Sequence, residues 1–206
     1  MRWLGGVGVL LVLVSAAPAA DEPGPTAVVE RLNAALLGVL KQADSLGYAG
    51  RVTRLTPAVS EAYDVPFMAE KSLGQRWATL SPAQREHWVD LSRQFSVANY
   101  AANFDRDSGQ RIELLGEEPA SNDTAIVRTR INDPSGDPIE MTYRLHRTDA
   151  GWRIIDVYLK GTVSELALRR ADYTSVLERQ GFDALCTTMQ TRIADLATER
   201  GKQSGR

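Results

Sequence analysis

TAIVRTRINDPSGDPIEMTYRLHRTDAGWRIIDVYLK, residues 124–160, is the stretch that decides the fold. Apolar and polar residues alternate along it with a period of two, the spacing at which successive side chains leave opposite faces of a strand. In its first run Ala125, Val127, Thr129 and Ile131 share one face, opposite Arg128 and Arg130. In its second, Ile139, Met141, Tyr143 and Leu145 oppose Glu140, Thr142, Arg144 and His146. Turn-forming clusters at 133–137 and 149–151 separate the runs, so strands are expected over 124–131, 138–147 and 152–160. A further strand over 110–116 precedes them across Ser121-Asn122-Asp123. Strands joined this closely make an antiparallel meander with one buried and one solvated face. The arginines of the wet face lie among carboxylates such as Glu140, so they are read as solvated charge rather than as a binding patch.

On either side of this stretch the apolar period lengthens to that of a helix. Upstream, Val29, Leu32, Leu36, Leu40 and Ala43 recur at three and four, which predicts an amphipathic helix over 26–45 stopped near Gly47. Helices are also expected over 48–63, with an internal turn at Pro57, and over 66–77. Ser81-Pro82-Ala83-Gln84 starts a long one, since the hydroxyl can cap a free N–H, proline suits the first turn and Gln84 stands at the capping-box position. That helix runs to about residue 104 with Trp88, Leu91, Phe95, Ala98 and Ala102 on one stripe. Downstream, helices over 164–179 and 182–196 are divided by Gly181, and the polar residues 201–206 are expected to be a disordered tail. The fold class is α+β, a single domain over 20–200 in which helices cover a curved antiparallel sheet of four strands, or five.

Residues 1–20 have the three parts of a secretory signal peptide: Arg2, an apolar run from Trp3 to Val14, and small residues ending in Ala17-Pro18-Ala19. Cleavage after Ala19 satisfies the A-x-A pattern, and the apolar run is shorter than the roughly 20 residues that cross a bilayer. A retained membrane anchor is the rival reading of this segment. No cysteine follows it to carry a lipid; the one thiol, Cys186, lies among helix-forming residues as a small core hydrophobe. The whole chain has 24 basic and 26 acidic residues, a formal charge of -2, and losing Arg2 makes it more acidic still, which speaks against nucleic acid as a partner.

The common signatures of hydrolases and nucleotide enzymes are missing, and His87 and His146 are too few for a histidine-rich metal site. No cofactor is expected. One pair tempts: Asp156 and Tyr158, two apart on a strand and so on one face, could transfer protons in an isomerase or lyase if that face lines a pocket. The structural alternative is a carboxylate hydrogen-bonded to nearby backbone or arginine.

Phe67-Met68-Ala69, Leu73-Gly74-Gln75-Arg76-Trp77, Leu80 to Arg85, the Tyr100 region, Gly151 to Val157, Gly161, and Tyr173 followed by Gly181 to Leu185 resemble, in order and spacing, the MlaC family. That family comprises periplasmic phospholipid-shuttling proteins and includes the toluene-tolerance auxiliary components of ABC transporters. Ser96 to Asp105 and Tyr158 to Gly161 look closer still to its hopanoid-associated branch, HpnM, whereas Gly161 to Ser164 and Ala171 to Tyr173 depart from the family pattern. The resemblance implies a nuclear-transport-factor-like cone with an interior cavity for acyl chains. It further implies a non-catalytic carrier of phospholipid or a hopanoid-type lipid in the periplasm. Its implied partners are an inner-membrane lipid transport complex and an outer-membrane lipoprotein. On this reading the pocket lies between the sheet residues Val127, Ile131, Met141 and Tyr143 and helices bearing Leu36, Leu40, Phe67, Leu73, Trp88 and Phe95. The residues alone, without the resemblance, reach helices on a sheet but no cavity, so an adaptor with a filled core is the third reading.

Overall fold

Five strands lie side by side in chain order in the computed structural model, which describes residues 23–134, 136–159 and 162–203. They are β1 (Arg111–Ala120), β2 (Thr124–Asn132), β3 (Ile139–Thr148), β4 (Gly151–Leu159) and the two-residue β5 (Val163–Ser164), all antiparallel. Val127, Tyr143 and Val157 stand opposite one another across β2, β3 and β4, and Ala125, Leu145 and Ile154 do the same one step along. Ile154 and Val157 are three residues apart, and an unbroken strand would send them to opposite faces. A bulge opposite Arg144 and Leu145 inserts Ile155 and turns both inward.

Strand β1 runs past Gly116, where the sequence reading ends it, to Ala120. A register shift between Leu114 and Gly116 absorbs the glycine, and Pro119 is tolerated because β1 is an edge strand with no second neighbouring strand among the described residues. The other edge is covered for part of its length, because Tyr63 bridges Ile154 and the Asp64 N–H donates to the Ile154 carbonyl at 2.9 Å.

The inner sheet face meets α1 (Pro25–Leu40), α2 (Ala43–Ala62) and α4 (Pro82–Asn103). Leu36, Leu55, Val59, Val127, Tyr143, Leu145 and Ile154 are fully buried in this first core, and each side chain of that size contributes about 1.5–3 kcal/mol. The first helix ends at Leu40 rather than running to 45, and α2 passes through Pro57 but breaks at Gly47, whose φ of +58° suits a residue without Cβ. Buried Arg51 stitches that region to α4: its Nε donates to the Ala101 carbonyl at 2.8 Å and its Nη1 to the Ala43 carbonyl at 3.2 Å.

A second core of Leu73, Trp88, Leu91, Tyr173, Leu185 and Met189 joins α4 to α3 (Val65–Leu73), α5 (Glu165–Gln180) and α6 (Phe182–Gln203). Trp88 is completely buried; its Nε1–H donates to Ser72 Oγ at 3.2 Å and its ring meets Tyr173 edge-on at 5.1 Å. Helix α3 stops at Leu73, short of the expected 77, because Gly74 takes φ +55° and a 3₁₀ turn over Gly74–Thr79 follows. The capping box of α4 forms between Ser81 and Gln84 as its residues foretell. Helix α6 continues to Gln203, into the stretch expected as a tail. The expected leader at 1–19, Lys160-Gly161 and residues 204–206 lie outside the described residues.

The sheet face expected to be wet is so only in part. Arg128 pairs with Glu118, and Arg130 with Glu140 at 2.9 Å, in solvent. Thr124, Thr142 and Asp156 on the same face are buried. The face expected to be apolar surfaces at its end, where Ile139, opposite Ile131, is 46% exposed.

Candidate functional site

Where the two cores meet, α3, α4 and the start of α5 leave a cavity against the ends of β3 and β4. Its larger chamber, about 80 Å³, is lined by Tyr63, Met68, Tyr100, Met141, Val157 and Leu159. A smaller one of about 20 Å³ lies beneath Phe95, Leu166, Tyr173 and Met189, and both chambers touch Met68, Ser96 and Arg169. Such spaces hold a few waters at most, against roughly 300–1,000 Å³ for pockets that enclose small molecules. Any larger occupant has to displace the roof.

That roof is the first turns of α5, and polar contacts seat it. Ser164 caps the helix by accepting the Ala167 N–H at 3.0 Å. Asp156, on β4, holds the same point: Oδ1 accepts from the Val157 N–H at 2.8 Å and the Leu166 N–H at 3.1 Å, and Oδ2 from the Ser164 hydroxyl at 2.6 Å. Arg169 lies over the Phe95 ring at 5.0 Å and reaches Glu165 at 3.6 Å, so its charge has both an aromatic and an acidic partner.

Two tyrosines, Tyr63 and Tyr100, line the larger chamber, and Tyr143 is buried behind them. Tyr63 and Tyr100 are hydrogen-bonded to each other, Tyr143 adjoins Tyr100, and the Tyr143 hydroxyl also contacts Met141 Sδ at 3.8 Å. Burial pushes all three hydroxyls well above the usual tyrosine value of 10.0, and neighbouring tyrosines add to the rise. They are therefore neutral near pH 7 and act as hydrogen-bonding groups, not as bases.

The structure brings two of the ten residues expected from sequence, Met141 and Phe95, to the cavity. Leu36, Leu40, Val127 and Tyr143 are buried in the first core, with Ile131 packed beside it, and Leu73 and Trp88 are buried in the second. Phe67 borders a cleft on the other face of the sheet. Sequence reasoning missed Tyr63, Met68, Tyr100, Val157, Leu159 and Arg169 as lining. Met68, Tyr100 and Val157 fall within segments that carry the family resemblance, which was the available signal. Asp156 and Tyr158 stand opposite Arg144 and Thr142 on the outer sheet face, away from the cavity, and both Asp156 oxygens are engaged. Cys186 is buried in the second core, where burial raises its thiol to about 11. Among the described residues no group of three or more His, Cys, Asp or Glu is placed to hold a metal, and no helix is long and apolar enough to cross a membrane.

A sequence model of the MlaC protein family matches residues 30–191 of this chain. The solved structure of a phospholipid-binding protein from Ralstonia solanacearum, in complex with a phospholipid, superposes on it with a TM-score of 0.73. The two are 18% identical, and the match covers 85% of this chain and 100% of the other. At that identity the likeness speaks to the fold, which among this chain's described residues is α-helices around an open antiparallel sheet.

Proposed function

This chain belongs to the MlaC family, and from that premise we propose that it is a non-catalytic carrier that holds a membrane lipid beneath α5 and moves it through the periplasm. The observation that carries the reading is the roofed cavity, whose apolar lining includes Met68, Phe95, Met141, Val157 and Leu159. A sixteen-carbon chain exposed to water costs about 0.8 kcal/mol per methylene, about 12 kcal/mol in all. A carrier has to hide those methylenes. Methionine suits the task because its unbranched, polarizable side chain refits around chains of different shape. Loading displaces the first turns of α5 by breaking the contacts through which Asp156 and Ser164 seat them on β4.

The cargo we favour is a phospholipid, the ligand of the Ralstonia protein of the same fold. A hopanoid is the alternative suggested by the HpnM-like segments at 96–105 and 158–161. Export after removal of residues 1–19, receipt of cargo at an inner-membrane transport complex and exchange with an outer-membrane lipoprotein complete the proposal. The engagement of Asp156 by three donors supports a structural role for it and weighs against the isomerase reading.

Purification of the mature chain from the periplasm, followed by organic extraction and mass spectrometry, tests this. The expected result is near-stoichiometric lipid, with head group and ring system naming the cargo. Met141→Trp fills the larger chamber without adding charge and is expected to lower retained lipid several-fold while the circular dichroism spectrum is kept. A wild-type protein that is folded and carries no lipid refutes the carrier reading.

A further inference from the structure

Outside the cavity, on the far face of the sheet, lies a larger cleft of about 540 Å³ walled by α3, α5 and strands β3 and β4. Its cations differ from those elsewhere on that face. Arg128 and Arg130 are each matched by a glutamate, as described above. Arg144 is half-buried and, among the described residues, held in place by neutral oxygens: its Nε donates to Thr124 Oγ1 at 3.2 Å and its Nη2 to the Ser121 carbonyl and hydroxyl at 3.3 Å. Arg170 has no ion pair among the described residues, and its guanidinium lies against Gly74, where a Cβ would come within 2.6 Å of Nη2. Lys71 completes the set; its ammonium pairs with Glu70 at 2.7 Å, on the exposed surface.

Among the described residues no nearby acid makes an ion pair with either guanidinium. Asp156 is opposite Arg144 in register, yet its oxygens are turned to the backbone of Val157 and Leu166 and to Ser164. Asp64 is engaged by His146 at 2.8 Å and by the Phe67 N–H at 3.0 Å. The cleft thus holds two guanidinium groups, one fixed by hydrogen bonds and one exposed beside Gly74, neither with a carboxylate partner among the described residues, beside apolar surface from Phe67, Ile155 and Leu166. A guanidinium fork matches a tetrahedral anion by paired N–H donation, and a lysine adds a point charge.

We infer that this cleft binds a phosphate ester, gripped by Arg144 and Arg170, with Lys71 at the rim. The site stands on its own geometry, and its link to lipid rests on the carrier reading. Leu166 borders both the cleft and the cavity, so the ester has two sources: the head group of a lipid whose chains lie under α5, or a free phosphate ester. Calorimetric titration of delipidated protein with glycerol 3-phosphate, at low salt and with glycerol as blank, tests the site. Saturable one-to-one binding is expected, weakened about tenfold or more by Arg144→Gln and by Arg170→Gln and unchanged by Arg128→Gln. Arg170 is exposed, so its variant keeps the test valid if Arg144→Gln disturbs the 121–124 turn. Repeating the titration on lipid-loaded protein separates the sources: lost binding assigns the cleft to the head group, and retained binding assigns it to a free ester. No saturable binding to the wild type, or equal weakening by Arg128→Gln, overturns the inference. The lipid content of the same samples reports independently on the carrier reading, so either idea can fail alone.

Discussion

The two sides of the cavity are joined by different kinds of contact. Below it, α1, α2 and α4 meet the sheet through a continuous apolar core in which Leu36, Val127, Tyr143 and Ile154 are shut off from water. Above it, the start of α5 is seated by one carboxylate, one serine and an arginine laid on a phenyl ring. An apolar core is close-packed and yields only with loss of the fold, whereas a few directed bonds can break and re-form individually. The lesson is a division of labour: the sheet side keeps its shape, and the α5 side is where the molecule can open.

Four experiments break or sharpen that contrast. The largest effect is expected from alkali. Because the folded values of Tyr63, Tyr100 and Tyr143 are raised above 10.0, the unfolded chain loses protons first. The stability of these groups is therefore complete below pH 10.0 and falls as pH rises from there toward the folded values. Three such groups give a slope of about 4 kcal/mol per pH unit. Urea midpoints should be flat below about pH 10 and fall with this slope above about pH 11, and Tyr143→Phe should reduce it by about a third; an unchanged slope would show that the tyrosine cluster is wetter than described. Next, Leu36→Ala should cost about 2–5 kcal/mol in denaturant unfolding, with lipid per folded molecule unchanged. A loss of lipid at constant fold would move the binding region into the first core.

Asp156→Asn attacks the other side. It should cost about 1–3 kcal/mol and leave lipid retention within a few-fold of wild type. Hydrogen exchange should quicken at 165–170 and not in α1, and uniform quickening would erase the contrast. Smallest of all, Arg128→Gln removes a solvent-exposed pair with Glu118, and a change in thermal midpoint equivalent to about 0–1 kcal/mol is expected. A larger loss would mean that the outer sheet face takes part in holding the fold.

Much of the fold was legible because periodicity is a local property. The two-residue alternation of 124–147 placed β2 and β3, and Ser81 with Gln84 marked the start of α4 to the residue. What was missed depends on contacts between distant residues. Helix α3 ends at Gly74, where Arg170 of α5 lies against the backbone. The bulge at Ile155 exists so that Ile154 and Val157 can both face inward, which no count along β4 alone reveals. The cavity was the hardest part. A stripe such as Trp88, Leu91 and Phe95 looks the same whether it fills a core or borders a space, and here it does both.

The strand order has a consequence for assembly. Every strand pairs with its neighbour in the chain, so the sheet can zip up hairpin by hairpin with little loop-closure entropy, and such local contacts form fast. The helical contacts are another matter, since α6 must return across the whole sheet sequence to reach α4. The expected order is sheet first and the α4–α6 clasp last, so a polypeptide still lacking its final helix already has its meander while one flank of Trp88 waits for Leu185 and Met189. Completion of the second core, and with it the wall that backs the roof helix, then awaits the last stretch of chain.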